Sequence, residues 1–460
     1  MSYPHTRLSL LSLSLFAGLS AGLLASSPGY AAVAGCGQNC IDYLRENVQA
    51  RPLTAASIAT VSDATLRTEF TNYLATSASA RSADKAALAA ERKGMTTVPA
   101  PRGSGKNNLA TMPLNQSGTY YQSAEALAIA QEIISFQIPS GGWGKNMSRT
   151  GVARTQGQSY IVDEIDPSES GSWRYVGTID NGATTTELRY LAKVQAARTG
   201  SSETATLQAS IVRGIKYLIA AQYPNGGWPQ VYPLAGSYND AITLNDDAML
   251  RVVMLLNEIG NGSNSDFAFL DRNLRNSAAQ ATTKGTTWLV NNQVKVSGEW
   301  TIWGQQHDML TQLPTAARAF EMAALSSAES AKITAFLMTL PNPDAKMRRA
   351  VYAAADFFTA TRISGQSWSN GKLSSSPNGV LWARFYDLDA YTPSASSVAK
   401  RSQTLFGDRP DMHATSAYGL VFSSIASVST ERLTGYAQYN SSPQSVLTTF
   451  ATWSKSNPRP

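Results

Sequence analysis

Apolar residues recur at helical spacing over most of this chain. Ala126, Ile129, Ile133 and Phe136 form one stripe. Val212, Ile215, Leu218 and Ile219 form a second, and Ala248, Met249, Val252, Leu255, Leu256 and Ile259 a third. Residues three and four apart share a helix face, so each stripe predicts an amphipathic helix. "AKITAFLMTL" and "RRAVYAAADFFTATR" continue the series, and helix-compatible segments lie around Ala64 to Leu74 and Ala83 to Lys93. Alternating runs are scarce; "NNQVKVSGEWTIW" is the best hairpin, with Ser297-Gly298 in its turn. The pattern predicts an all-α fold with long irregular loops and few short strands.

Two helical stretches end alike, in "QIPSGGWGKNM" from Gln137 and "QYPNGGWPQVYP" from Gln222. Proline cannot continue a helix, and paired glycines permit positive φ behind it. On the structural reading this is a helix stop plugged by tryptophan. On the functional one, Trp143 or Trp228 stacks on a sugar ring and Lys145 meets an anion. The repeat runs further, into "TIDNGATTTELRYLAKV" from Thr178 and "TLNDDAMLRVVML" from Thr243. Aligned on threonine, Asp180 meets Asn245, Asn181 meets Asp246 and Ala183 meets Ala248. Helix pairs repeated this way imply an α-solenoid or a closed α/α toroid, whose loops gather on one face.

Composition narrows the setting. The 460 residues are 43% hydrophobic, enough for a large core or two domains, and only 15% charged. His5 and Arg7 precede "LSLLSLSLFAGLSAGLLA", and "AVAG" offers a cleavage site after Ala34, so residues 1–34 read as a secretory signal peptide. Its removal lowers the formal charge from +6 to +5. A mildly basic secreted protein suits a polyanionic partner, and without basic runs among aromatics nucleic acid is not favoured. No later segment is long enough to span a membrane. Cys36 and Cys40, the two cysteines, read as a small disulfide loop, although "VAGC" also has the look of a lipoprotein signal. "TTVPAPRGSGKNN" marks a boundary near residue 105, dividing an N-terminal helical region and linker (35–105) from a main domain (106–460).

Candidate chemistry sits between the helices. Asp180, Asn181, Asn245, Asp246 and Asp247 cap helices on the plain reading. On the sharper one they are two oxygen-rich clusters brought together by the repeat, a donor set for a hard cation such as Ca²⁺. Arg318 and Glu321, three apart in "AARAFE", pair on a helix. His307-Asp308 offers a dyad, with a structural histidine as the plainer alternative. Arg384 in "WARFYDLDAY" and Arg409 in "FGDRPDMHA" are arginines of the kind that fork onto carboxylates, or else surface partners of Asp387 and Asp408.

In this order, "GGWGKNM", "TIDNGATTTELRYLAKV", "QYPNGGWPQVYP", "ITLNDDAM", "WTIWGQQHD", "AARAFEMAALSSAES" and "WARFYDLDA" resemble polysaccharide lyase family ten, the pectate lyases. The resemblance spans roughly Thr111 to Thr434. It implies an incomplete α/α toroid with a wide groove, Ca²⁺ as cofactor, and anti β-elimination of polygalacturonate. It implies that Arg318 is the base and that Asp180, Asn181 and one of Asp246 and Asp247 bind the metal. By the same resemblance Arg384 and Arg409 hold uronate carboxylates. The link between those two arginines is longer than usual for the family, which leaves Arg401 as a competitor of Arg409. Lys145, Trp143, Trp228 and His307 complete the candidate substrate-binding set, and the expected state is a monomer. Q-x₃-G-x-W also resembles the turn of triterpene cyclases, another α/α toroid family. A non-catalytic polyuronate-binding protein is the third reading.

Overall fold

A computed structural model of the chain describes residues 40–41, 50–105, 111–163, 176–296, 298–318, 320–388, 404–408, 420–422 and 424–460. Nine longer helices carry the described fold: α1 (Ala64–Arg92), α2 (Ala124–Ser135), α3 (Thr185–Ala197), α4 (Thr204–Ala220), α5 (Ala248–Asn261), α6 (Arg272–Asn291), α7 (Ser327–Thr339), α8 (Ala345–Ala360) and α9 (Ser442–Ser456). From α2 onward they sort into two rows. Helices α2, α4, α6 and α8 pack side by side in one row, and α3, α5, α7 and α9 form the other against it. The predicted stripes fall on α2, α4, α5, α7 and α8, running at most two residues past their ends, and the two segments expected near the N-terminus are one continuous helix, α1.

The repeat has four units rather than the two visible in the sequence. Each consists of a first-row helix, a turn closed by tryptophan, and a second-row helix. The indole N–H of Trp143, Trp228, Trp303 and Trp382 donates to Ile133, Leu218, Leu289 and Phe358 at 2.7, 2.8, 2.7 and 2.8 Å. In every case the acceptor is the third residue from the end of its helix. These carbonyls lie in the last turn, beyond the reach of regular i+4 donors, so the indole completes the helix end while its rings fill the core.

A glutamine beside the turn joins each unit to the next. The side-chain amides of Gln137, Gln222 and Gln293 donate within their own turns to Gly141, Gly226 and Thr301 at 2.8, 2.9 and 2.8 Å. They also donate to the backbone of the following first-row helix, at Ser210, Ala281 and Ala350, at 3.1, 3.0 and 2.8 Å. The first glycine of each GGW serves the same junction. Gly141 and Gly226 have φ of 111° and 103°, and a Cβ there would lie 2.6 and 2.5 Å from the carbonyl oxygens of Arg213 and Lys284.

Helix α1 lies across these turns. Tyr73 Oη donates to Ala221 O at 2.9 Å, and Asp84 accepts from Ser140 N and Oγ at 2.8 and 2.7 Å. Phe70, fully buried, belongs to the same core as the paired helices. The expected hairpin forms, with Lys295–Val296 pairing Glu299–Trp300. A longer one, Ile363–Ser369 with Lys372–Ala383, was not anticipated. Its strands are largely Ser, Gln, Lys and Gly, which leaves no hydrophobic alternation to read. The signal lay in Asn370-Gly371, both at positive φ, the pair that a tight hairpin turn favours. The segment around Arg318 and Glu321 is a loop rather than the expected helix, which starts only at Ser327. Its backbone is engaged elsewhere, in bridges of Gly304 to Leu325 and His307 to Pro314.

Replacing Gln293, buried and doubly bonded, with alanine should lower stability in denaturant unfolding by about 1–3 kcal/mol, the cost of stranding two buried carbonyls. A loss below about 0.5 kcal/mol would show that the amide bridge does not hold the first row together.

Candidate active site

The second-row helices α3 and α5 are led by 3₁₀ turns, Asp180–Gly182 and Asn245–Asp247. The two turns superpose in conformation: Asn181 and Asp246, matched by the sequence repeat, both have φ 52° and ψ 26°. Asn and Asp tolerate this left-handed geometry better than other side-chain-bearing residues. The turns lie against each other, so the two clusters meet as the repeat implied.

Backbone bonds fix this meeting. Ile179 N donates to Gln230 O at 3.0 Å, Leu244 N to Gln305 O at 2.8 Å, and Ser327 N to Arg384 O at 3.0 Å. Each acceptor stands two residues after a unit's tryptophan, at the position that Lys145 holds after Trp143. One structural position thus supplies Lys145, Gln230, Gln305 and Arg384 along the row of helix starts. "WGK", "WPQ", "WGQ" and "WAR" carried this signal in the sequence.

These side chains engage the acids. Lys145 Nζ bonds Asp180 Oδ2. Asn181 Nδ2 donates to Asn146 Oδ1 at 3.0 Å. Arg384 Nη2 lies 3.3 Å from both Asn245 Oδ1 and Glu329 Oε1. Its guanidinium sits 4.1 Å from the centroid of the Tyr436 ring. Gln305 Nε2 donates to Asn245 at 2.8 Å and Glu329 at 3.0 Å, and Ser326 Oγ bonds the second Glu329 oxygen. Burial alone would raise the pKa of Glu329, but the charge of Arg384 and these hydrogen bonds more than offset it and hold the carboxyl below its ordinary value. Glu329, Gln305 and Tyr436 were not among the sequence candidates.

The two candidate aspartates part here. Asp247 is buried and committed to two cations, Arg251 at 3.1 Å and Lys332 at 2.6 Å. Both cations engage it from α5 and α7, whereas Asp180 is engaged by Lys145. Asp246 reaches the surface inside the acid cluster. Desolvation by the surrounding protein, then repulsion from Asp180, Glu329 and Glu321 against the pull of Arg384, pushes its pKa up to about 6.

Arg318 is half-exposed and forks onto buried Glu321, with Nε to Oε2 at 2.8 Å and Nη2 to Oε1 at 2.5 Å. The pair expected on a helix thus forms within a loop. Burial favours the neutral guanidine, but the hydrogen bonds and charge of Glu321 outweigh it and raise the pKa above its ordinary value.

Three other candidates are fully buried. Trp143 and Trp228 are fully buried helix plugs, so neither ring is available for stacking on a sugar. His307 is also fully buried, with Nδ1 2.8 Å from Gln312 O and Nε2 accepting from Gly304 N at 3.1 Å. Burial pushes its pKa down to about 4, so it is a neutral structural group. Asp308 is no partner to it, because its carboxylate forks with Arg51 at 2.7 and 3.2 Å. Arg401, Arg409, Cys36 and the side chain of Cys40 lie outside the described residues.

Among the described residues no three acidic, histidine or cysteine side chains stand close enough to hold an ion by themselves. The chemistry of Asp180, Asp246 and the neighbouring amides nonetheless fits a hard cation, which prefers oxygen donors. Repulsion at Asp246 marks negative charge that such a cation would relieve.

The sequence profile of the pectic acid lyase family matches residues 137–447. A family 10 polysaccharide lyase from Cellvibrio cellulosa is similar in structure, with a TM-score of 0.58 and 28% identity, over 75% of this chain and 97% of that one. A mutant of a family 10 polysaccharide lyase from the same organism, in complex with trigalacturonic acid, gives 0.59 and 28% over 75% and 98%. A search of curated proteins found no match.

The Asp246 shift has a sign that stability can test. Its folded-state pKa of about 6 exceeds the ordinary 3.8, so between those values the folded protein holds a proton that the unfolded chain releases. Stability therefore falls as pH rises through that window, and the penalty is complete above it. In chelator, Asp246→Asn should melt higher than wild type at pH 8 and equal to it near pH 3.5; a lower melting temperature at pH 8 would contradict the crowding.

Proposed function

The chain belongs to the pectic acid lyase family and is a pectate lyase, and we propose that it cleaves α-1,4-linked polygalacturonate by Ca²⁺-assisted anti β-elimination, with Arg318 as the base. The observation that carries this reading is the convergence of two equivalent acid-amide turns beside Arg384, whose neighbour Tyr436 also interacts electrostatically with Arg318. The family match is to a lyase, which sets aside the triterpene-cyclase and binding-protein readings.

The chemistry asks for two things. A base must take the proton at C5 of a uronate, and the negative charge then developing on its carboxylate must be stabilised. As the C5–H bond breaks, its electron pair forms the C4–C5 double bond. The C4–O4 bond breaks with its electrons on O4, which takes a proton from water. Arg384 would hold a uronate carboxylate: it is fixed by Glu329, Asn245 and the ring of Tyr436, so little freedom is lost on binding. Asp180, Asp246 and Asn181 would hold Ca²⁺, which when bound supplies positive charge to the substrate carboxylate. Lys145 shares Asp180 and would adjust its charge as the site fills.

Arg318 accepts a proton only as the neutral guanidine, and Glu321 makes that form scarcer. The rate should therefore keep rising with pH across the range in which the protein stays folded. We further read the two helix rows as an arc of an incomplete α/α toroid. We read residues 1–34 as a signal peptide, Cys36 and Cys40 as a disulfide, and the mature protein as a secreted monomer.

Polygalacturonate, followed by the ultraviolet absorbance of unsaturated product, should be cleaved by wild type and not in excess chelator. Arg318→Ala should lose about 10²–10⁴-fold in kcat, the usual worth of a positioned base. Undiminished turnover in that variant, or a rate that falls from neutral to alkaline pH, would remove Arg318 from the role.

A further inference from the structure

Two aromatic rings stand between the proposed base and the arginine proposed to hold a uronate carboxylate. Phe320, buried and two residues after Arg318, has that guanidinium 4.7 Å from its ring centroid. Tyr436, just past the short helix Thr430–Gly435, has the Arg384 guanidinium at 4.1 Å. The two rings meet edge to face, with centroids 5.1 Å apart and planes at 73°. Arg432, itself buried, reaches both, at 4.5 Å from Phe320 and 5.7 Å from Tyr436. All these separations lie within the range of cation–π attraction, and the edge-to-face tilt is one that aromatic pairs favour.

Each of the three guanidiniums also has its own glutamate: Glu321 for Arg318, Glu329 for Arg384 and Glu431 for Arg432. The glutamates offset the repulsion among three like charges. Phe320 and Tyr436 join the three pairs into one block. Tyr436 is tied to Arg384 through the backbone as well, because Arg384 N donates to Gln438 O at 2.9 Å. Arg318 stands on a loop, so its side-chain contacts with Glu321 and Phe320 set its place.

Elimination makes that block matter. The proton to be removed and the carboxylate to be held are both carried by C5 of one uronate. The base and the carboxylate-binding arginine must therefore keep one separation, and a displacement of about 1 Å can cost on the order of 10²-fold in rate. We propose that Phe320 and Tyr436 are positioning residues that set the separation of Arg318 from Arg384. The proposal rests on the lyase reading above.

The test is steady-state cleavage of polygalacturonate by wild type, Phe320→Leu, Tyr436→Leu, Tyr436→Phe and the double leucine variant. Phe320→Leu should lose about 10–10²-fold in kcat with KM within about twofold, since Arg384 keeps its own ring. Tyr436→Leu should lose kcat and also raise KM, since the carboxylate-binding arginine loses its platform. Tyr436→Phe keeps the ring and should recover most of both. The double variant should be little slower than the worse single change, as residues acting through one contact are not additive. If Phe320→Leu fails to fold, the two Tyr436 variants decide. Full kcat in a folded Phe320→Leu, a Tyr436→Phe enzyme as impaired as Tyr436→Leu, or losses that multiply in the double variant overturn the positioning role. A wild type inactive on polygalacturonate overturns the lyase reading instead.

Discussion

The ends of the first-row helices govern this structure. A helix leaves its last carbonyls without intrahelical donors, and in a packed double row those ends cannot all be given to water. The chain solves this four times with one indole N–H, placed on the third residue from the helix end. Three times it adds a glutamine amide that bonds its own turn and the next first-row helix together. Helix termination and lateral packing are thus one interaction, and every unit is set at the same height as its neighbour.

That common height makes a site. The chain leaves each tryptophan and, two residues on, presents Lys145, Gln230, Gln305 or Arg384. For three of these the backbone carbonyl accepts from the lead-in of a second-row helix. The Asp and Asn residues at these helix starts make no side-chain capping bond, and the stacking that satisfies the backbone groups crowds the acids together. Cations at the two ends, Lys145 and Arg384, balance part of the charge. Asp246 keeps the unbalanced remainder and has its pKa raised. Asp247, next to it, faces the other way into the seam between α5 and α7.

Periodicity made the helices legible, and the two GGW turns made the repeat legible. The third and fourth units were hidden because the features that define them do not need the Gly-Gly-Trp text. Trp303 is reached through a hairpin and Trp382 through a much longer one, yet both indoles land on the equivalent carbonyl. The convergence of Asp180 with Asp246 was inferable from the alignment of the repeat. The different surroundings of Asp246 and Asp247 were not, because the cations that engage Asp247 come from α5 and α7 and one of them, Lys332, is distant in sequence. Trp143 and His307 misled for a common reason: aromatic and imidazole groups serve a core as readily as a ligand, and burial is not written in local sequence. Glu329 carries no local signal of its place in the site, since a lone acid in a helix's first turn is common for its favourable interaction with the helix dipole alone.

The central claim is that equivalent turns of two units share one cation. Calorimetric titration of Ca²⁺ in the presence of oligogalacturonate tests it most directly, on wild type and on Asp180→Asn, Asp246→Asn and Asp247→Asn. Wild type should bind, and the first two substitutions should each weaken binding by at least about tenfold, as loss of a charged oxygen donor to a hard cation requires. Asp247→Asn should weaken it far less. Binding that survives Asp246→Asn intact but is lost in Asp247→Asn would contradict the account.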